Sequence, residues 1–569
     1  MRWLIVLCLV ACSAGSPGPG LPLRDVLNQL TAITAIGPRP QDSEGSRRAA
    51  AYIKSQLDAL EDADVRVQKV GDVDIPGISV LGVKYRDPKR VSTTDSNIFV
   101  RFGPQGNPLV LIAHYDTVPG STGGIDNAVA VALLIELARA LHEHPPATPI
   151  ALLFTADEEV GLVGAESFAE KYGKQMEFAI ALDLVGGSGD LVLNGASTLI
   201  GQNEMQWLAA AADRAGVIVR APLAHRVISR WWPQAERSDH GAFTRRGIRA
   251  FHLYNRGTDG EWIDLAYHSR RDLPTRVDTE RVDEAGRLLL ALVASPLPAR
   301  DGDGFWLPIA ANTVIPRWIL IVVELLLLLG VIALLARRLV THLTGDRVRT
   351  RGPGLLVGAA CYALALGAAF AFERLEPYPG SWLHAPLRTL IAELLVIVGV
   401  VGLASRVVAR FSPWVGAQRY LALSAIVLAM FGTTLLVLGA AELAWIWLLP
   451  ALLVAVAPRL GPAAPLALAS AALPIALVLH PFQVREAAWN GFWPPDLPLA
   501  LWLGVLALPV VAGGTWWFRR HRTWGPLGTL VLSVGCGVAV IAGFVVVITY
   551  RSPCTAAKFD SFHLACERV

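Results

Sequence analysis

From about Ile315 to Tyr550 the chain is a succession of apolar runs, and this constrains its fold more than any other feature. The runs are 317–336, 354–372, 389–408, 420–441, 443–458, 463–480, 498–517 and 527–550. Most approach the roughly 20 residues that cross a bilayer as a helix. The stretch 420–458 is too long for one crossing and is divided at Glu442. Helices of a soluble core keep a polar face, and successive helices without one point to lipid. An all-α polytopic transmembrane domain of about eight helices is therefore expected over residues 317–550. Composition agrees: 53% of residues are hydrophobic and 17% charged, against roughly 25% charged in soluble proteins. A net charge of +3 gives no general attraction to nucleic acid, and none is expected as a partner.

Loop charges set an orientation. The loops after the first, third, fifth and seventh runs hold twelve arginines, among them Arg337, Arg338, Arg406, Arg459 and Arg519; the alternate loops hold three, Arg374, Arg388 and Arg485. The arginine-rich loops are assigned to the cytoplasm, which places both residues 24–298 and the tail 551–569 outside it. Within the runs acids are scarce, with Glu442 and Glu393 the main candidates.

The first residues agree with export. Met1, Arg2 and Trp3 precede an apolar core from Leu4 to Ala11, which reads as a signal peptide over 1–14. Leu9 to Cys12 also resembles a bacterial lipobox, with Cys12 as the residue to be lipidated. Residues 15–23 and 299–316 read as linkers. Cys554 and Cys566 both lie in the external tail, where a disulfide is chemically permitted. The chain contains no Asn-x-Ser/Thr sequon, which favours a bacterial source. The expected location is then an inner membrane with the 24–298 domain on the periplasmic face, or a vacuolar or endoplasmic reticulum lumen in a eukaryote.

Residues 24–298 carry most of the charge and read as a water-soluble α/β domain, a mixed central sheet flanked by helices. Three apolar runs, 108–113, 149–155 and 178–182, look like strands buried on both faces. Helical stretches at about 127–143 and 162–172 separate them, the alternation of an α/β fold. In such sheets ligands bind at the carboxyl ends of the strands. The first strand delivers His114 and Asp116 there, the second Glu158 and Glu159, the third Asp183. Asp126 and Asn127 open the next helix and could simply cap it. Farther on come Asp239 and His240, a strand ending near Leu253, then His268 and Asp272. The Arg245-Arg246 pair reads as a solvated turn. Nitrogen and oxygen donors without cysteine suit zinc, with manganese or cobalt as alternatives.

These motifs carry a resemblance. The segment 30–297 resembles the zinc aminopeptidases of peptidase family M28 through Gly37-Pro-Arg-Pro40, Ala113-His-Tyr-Asp116, Gly124-Ile-Asp-Asn127, Asp157-Glu-Glu-Val-Gly161, Ala181-Leu-Asp-Leu184, Ser238-Asp-His240 and Tyr267-His268. The soluble domain followed by many spans looks like the membrane-bound branch of that family. The resemblance implies two zinc ions per chain. His114 and Asp183 would hold one, Glu159 and His268 the other, with Asp126 between them. It implies Glu158 as general base, Asp116 as a supporting group behind the metal site, and Asp239 and His240 in a supporting or substrate role. The implied activity is hydrolysis of N-terminal residues from peptides by a membrane-anchored metallo-aminopeptidase. Val129 and Ala130 stand where family members usually have Ser-Gly, and Asn127 replaces a frequent Asp. The same motifs also look like glutaminyl cyclases, which share the fold. That alternative implies one zinc on Asp126, Glu159 and His268 and formation of N-terminal pyroglutamate. A third reading is a non-catalytic binding domain that keeps the peptidase fold.

Overall fold

The computed structural model describes residues 18–80, 83–86, 88–196, 199–221, 238–255, 266–300, 307–310, 312–343, 418–437 and 441–460, with short pieces within 534–545 and at 556–559 and 564–567. The expectations on the leader 1–14, on Cys12, on the spans 354–372, 389–408, 463–480, 498–517 and most of 527–550, on Glu393 and on the pairing of Cys554 with Cys566 lie outside the described residues.

In chain order the first elements are α1 (Leu23–Thr34), α2 (Glu44–Asp58), β1 (Asp64–Ile75), β2 (Ile78–Val80), β3 (Val83–Arg86), β4 (Lys89–Phe102), β5 (Leu109–His114), α3 (Val129–Glu143), β6 (Ile150–Thr155), α4 (Val163–Tyr172) and β7 (Phe178–Leu182). There follow β8 (Leu191–Ala196), α5 (Gln202–Ala215), β9 (Val219–Arg220), α6 (His240–Thr244), β10 (Ala250–Asn255) and α7 (Thr279–Val293). Eight strands form one mixed sheet in the order β1-β4-β6-β5-β7-β10-β8-β9. The middle four run parallel to one another. Every residue in them is buried, as their near-continuous apolar sequences require.

Alternation along β5 feeds two cores. Leu109, Leu111 and Ala113 join the cluster that contains α3, while Val110 and Ile112 join Phe168 of α4 and Phe243 of α6. Burying such a side chain contributes roughly 1.5–3 kcal/mol. Helix α3 is buried without a break from Val129 to Ala138. The chain leaves β5 through α3 to β6 on one side, and β7 then pairs with β5 on the other. Such a reversal opens a crevice at the carboxyl ends of the strands.

Arg245 and Arg246 are not a solvated turn. Both clasp Glu166 of α4, whose side chain is 1% exposed. The partner lies about 80 residues earlier in the chain, so local sequence could not reveal it. The triad ties α6, which follows Asp239, to α4, which follows the Glu158-Glu159 loop.

Beyond the sheet domain lie α8 (Arg317–Leu343), α9 (Gln418–Val437) and α10 (Ala441–Val456). Among the described residues Arg317–Leu334 is the one helical stretch long and apolar enough to cross a membrane; Ala425–Val437 and Ala444–Val456 are shorter. Trp318, Leu326 and Leu329 of α8 are each at least 60% exposed. Val331, Leu428, Trp447, Leu448 and Ala451 pack the three helices together. The division expected at Glu442 falls between Val437 and Ala441, so Glu442 lies in the first turn of α10. The sequence reading also passed over Glu324, an acid inside α8 that is 1% exposed.

Glu166→Ala leaves two partly buried guanidinium groups without their shared carboxylate. Removing one partner of a buried pair costs about 3–5 kcal/mol. Thermal unfolding of the detergent-solubilised chain should show a clear fall in Tm, whereas Glu44→Ala, which breaks an exposed pair with Arg47, should leave Tm nearly unchanged.

Candidate metal centre

Five segments converge at the carboxyl edge of the parallel strands: the ends of β5 and β7, the loop after β6, the turn before α3 and the loop that carries His268. β5 ends in His114, and Tyr115 continues its pairing with β6 by donating its N–H to Thr155 O at 3.0 Å. Asp116 follows and turns its carboxylate across to the loop after β6. Its Oδ1 accepts from the Glu158 N–H at 3.0 Å and its Oδ2 from the Glu159 N–H at 3.1 Å. Asp116 Oδ1 also stands 3.4 Å from His114 Nδ1. One carboxylate therefore orients the imidazole and pins two successive amides. From β7, the Asp183 N–H donates to Leu253 O of β10 at 3.2 Å, which fixes Asp183 at the strand end.

Asp126 does not cap α3. Residue Ala128 occupies the cap position, with helical backbone and no side-chain cap bond. Asp126 lies instead in an irregular turn, Gly124–Ala128, and the Asp126–Asn127 peptide bond is cis. Asn127 donates from Nδ2 to Leu182 O at 2.8 Å, and this ties the turn to β7. Apolar packing drives α3 inward and carries the turn with it, so the side chain serves the crevice instead of the helix end. Gly123 has φ +58°, and a Cβ there would lie 2.3 Å from Asp126 O and 2.8 Å from Arg39 Nη2.

The carboxylate of Asp126 stands between two imidazoles. His114 Nε2 is 3.2 Å from Oδ1, and His268 Nε2 is 3.2 Å from Oδ2. On the His114 side Asp183 Oδ1 is 3.6 Å from the same Nε2. On the His268 side Glu159 Oε2 is 3.0 Å from Nε2. All five residues are buried, none more than 9% exposed. Glu158 is buried beside them. His114, Asp126 and Glu159 also offer ligand atoms that all lie within 4.8 Å of one another.

These spacings fit a cation. Tetrahedral donors about 2.0–2.1 Å from zinc stand ~3.3 Å apart. Charge balance points the same way: Asp116, Asp126, Glu158, Glu159, Asp183 and Asp239 are all buried around two imidazoles and one guanidinium. Among the described residues Glu159 Oε1 and Asp183 Oδ1 have no hydrogen-bond donor. Burial pushes Glu158 well above the usual carboxylate range and raises Glu159 to about 7. Burial also pushes Asp126 upward, but His114 and His268 outweigh it and hold the group below its ordinary value. Mixed nitrogen and oxygen donors suit zinc.

Asp239 and His240 lie behind the centre. Asp239 accepts a hydrogen bond from the Thr155 hydroxyl, and burial raises it to about 7. The His240 ring stacks on His252 at 5.4 Å, and His252 Nε2 is 4.0 Å from Asp183 Oδ2. Burial, with Arg245 second, lowers His240 to about 3, so it is neutral.

Two residues had no role assigned from sequence. Arg39, fully buried, donates from Nε to Tyr115 O at 2.7 Å and from Nη1 to Thr122 O at 2.8 Å. Burial lowers it to about 10, so it remains a cation beneath the acidic centre. Asp272 accepts from the backbone of the turn that carries Asp126. Their only sequence signals were the Gly37-Pro-Arg-Pro40 motif and an acid four residues after His268.

A buried set of histidine and carboxylate donors at the carboxyl edge of parallel strands defines a centre of the metallohydrolase class. Residues 97–293 match the model for peptidase family M28. The chain is 28% identical over 245 residues to Aminopeptidase YwaD of Bacillus subtilis, covering 38% of this chain and 51% of that one. It is 30% identical over 181 residues to a Vacuolar membrane protease of Schizosaccharomyces japonicus, covering 31% and 21%. The chain thus spans about half or less of the length of these relatives. Among solved structures, BSAP, a zinc aminopeptidase from Bacillus subtilis, aligns at 20% identity with TM-score 0.39, over 48% of this chain and 95% of that one. The Bacteroides thetaiotaomicron glutaminyl cyclase aligns at 18% identity with TM-score 0.40, over 49% and 99%.

Gly123→Ala should pull the Asp126 turn out of place. A non-glycine residue at positive φ costs about 1–3 kcal/mol, before the overlaps with Asp126 O and Arg39 are relieved. The expected result is a lower Tm and reduced zinc per chain in the purified protein, measured by elemental analysis.

Proposed function

We propose that this chain is a membrane-anchored zinc aminopeptidase that removes N-terminal residues from peptides outside the cytoplasm. The observation that carries the reading is the Asp126 carboxylate with one oxygen beside each imidazole. In this reading His114 and Asp183 would hold one zinc, Glu159 and His268 would hold a second, and Asp126 would serve both. When bound, the zinc pair supplies Lewis acidity that brings the pKa of a water toward ~7 and polarises the scissile carbonyl.

The chain's own residues do the rest. Glu158 takes the proton of the attacking water and returns it to the leaving amine. Burial raises the proton affinity of its carboxylate, which suits a group that must take a proton and then pass it on. Asp116 fixes both the His114 ring and the backbone from which Glu158 projects. Asp239 and His240 support the centre from behind.

The anchor is the span of α8 together with the apolar runs to residue 550, read as about eight helices with the arginine-rich loops in the cytoplasm. Support comes from the length and apolarity of Arg317–Leu334 and from relatives described as membrane proteases. Partners in this reading are peptides and the lipid bilayer.

Glu158→Gln should reduce kcat on aminoacyl p-nitroanilides by about 10²–10⁴-fold while zinc content stays at the wild-type level. Removal of zinc by 1,10-phenanthroline should abolish turnover, and added zinc should restore it. Two zinc ions per chain are expected by elemental analysis. One zinc per chain, with conversion of N-terminal Gln peptides to pyroglutamyl peptides, would replace this reading with the cyclase alternative. Full wild-type function in Glu158→Gln would replace it with the binding-domain alternative.

A further inference from the structure

We propose that Asp272 is the positioning residue that sets Asp126 between the two imidazoles. This rests on the reading of Asp126 as the shared metal ligand. Asp272 is 1% exposed. Its Oδ1 accepts the Ile125 N–H at 2.6 Å and its Oδ2 accepts the Asp126 N–H at 3.0 Å. Its main-chain oxygen accepts from the Gly124 N–H at 3.2 Å and from the Thr122 hydroxyl at 2.7 Å. One residue thus receives four hydrogen bonds from residues 122–126, about 150 positions earlier in the chain.

The geometry gives this grip a specific consequence. The turn Gly124–Ala128 is not a regular helix, so its amides lack the repeating carbonyl partners a helix would provide. Asp126 and Asn127 have non-helical backbone angles, and no helical ladder fixes the direction of the Asp126 side chain. The Asp272 carboxylate takes that place with a two-point clasp on consecutive amides, the same device Asp116 uses on Glu158 and Glu159. Both amides donate to a charged acceptor, the stronger kind of hydrogen bond. Asp272 also follows His268 by four residues within one loop. The residue that aims Asp126 therefore belongs to the segment that presents the second imidazole, and the two ligands are set relative to each other by a single piece of chain. Arg39 backs the same turn from below through Thr122 O.

The test uses Asp272→Asn in the full-length, detergent-solubilised chain. The amide has the same shape but keeps only one acceptor oxygen, so one of the two backbone amides faces an NH₂ group. Partners that hold metal ligands in place typically account for 10–100-fold in affinity or activity. Asp272→Asn should therefore lose zinc at 10–100-fold lower chelator concentration than the wild type, with kcat lowered by a similar factor and KM changed by less than about threefold. A packing role alone would leave chelator sensitivity unchanged in a folded, isosteric variant, and that result overturns the proposal. Should Asp272→Asn fail to fold, Asp272→Glu replaces it. It keeps the charge but shifts the carboxylate by one methylene, and wild-type zinc retention there overturns the proposal equally. Asp126→Ala separates this inference from the reading beneath it. If Asp126→Ala retains zinc as the wild type does, the shared-ligand reading fails and the inference with it; if only Asp126→Ala loses zinc, the inference alone fails.

Discussion

The Asp126 carboxylate, held between His114 and His268, is the constraint on which the rest of the domain depends. Burying a carboxylate is costly unless it is hydrogen-bonded or paired with charge. Asp126 meets that cost with one imidazole nitrogen at 3.2 Å from each oxygen. The two imidazoles come from distant parts of the domain, at the end of β5 and in the loop before α7. Bringing them together requires the sheet order to place β5 at the centre and α3 to be drawn wholly inside. The buried, mostly apolar run Val129–Ala138 thus has a chemical consequence: it presses the preceding turn into the crevice.

Charge near that carboxylate is organised by the same economy of parts. Asp116 and Asp272 each clasp two consecutive backbone amides, and each clasp steers a metal-competent side chain on the clasped segment. Arg39 supplies a buried cation below them, fixed to three backbone carbonyls. The pattern uses backbone donors to neutralise supporting acids, which leaves the imidazoles and the inward-facing carboxylate oxygens for a cation. Zinc in the crevice would then offset the remaining negative charge, which burial opposes by raising Glu158 and Glu159.

Much of this was legible in the sequence, and the parts that were not share a cause. Strands β5, β6 and β7 announce themselves because burial on both faces leaves near-continuous apolar runs with a polar residue at the end. His114, Glu159 and Asp183 could be placed at one sheet edge for that reason alone. The role of Asp126 was less clear, since an Asp before a helix reads equally as a cap; only the irregular turn shows that the side chain is turned elsewhere. Asp272, Arg39 and the Arg245-Arg246 pair gave almost no signal. Each acts through a partner between about 76 and 150 positions away, and a charged residue looks the same in sequence whether it meets solvent or a buried acid. Glu324 was missed for the opposite reason, because one acid barely disturbs the hydropathy of a long apolar run.

Adjacent acids with different tasks pose the last physical question, and the loop after β6 answers it. Asp157 has φ +58°, which breaks the extended geometry at the strand end. The Glu158 carbonyl then accepts from the amides of Gly161 and Leu162, which closes a tight turn. Asp116 holds the amides of residues 158 and 159 on one carboxylate, so their side chains leave the turn in different directions. Glu159 reaches His268 at 3.0 Å, whereas Glu158 stays near enough to His114 for that charge to oppose part of its burial penalty. A carboxylate already paired with an imidazole is a poor proton carrier. One whose proton affinity is raised by burial, close to the centre but not paired with His268, is a better one. The division of labour proposed for Glu158 and Glu159 therefore rests on a single turn and the one carboxylate that pins it.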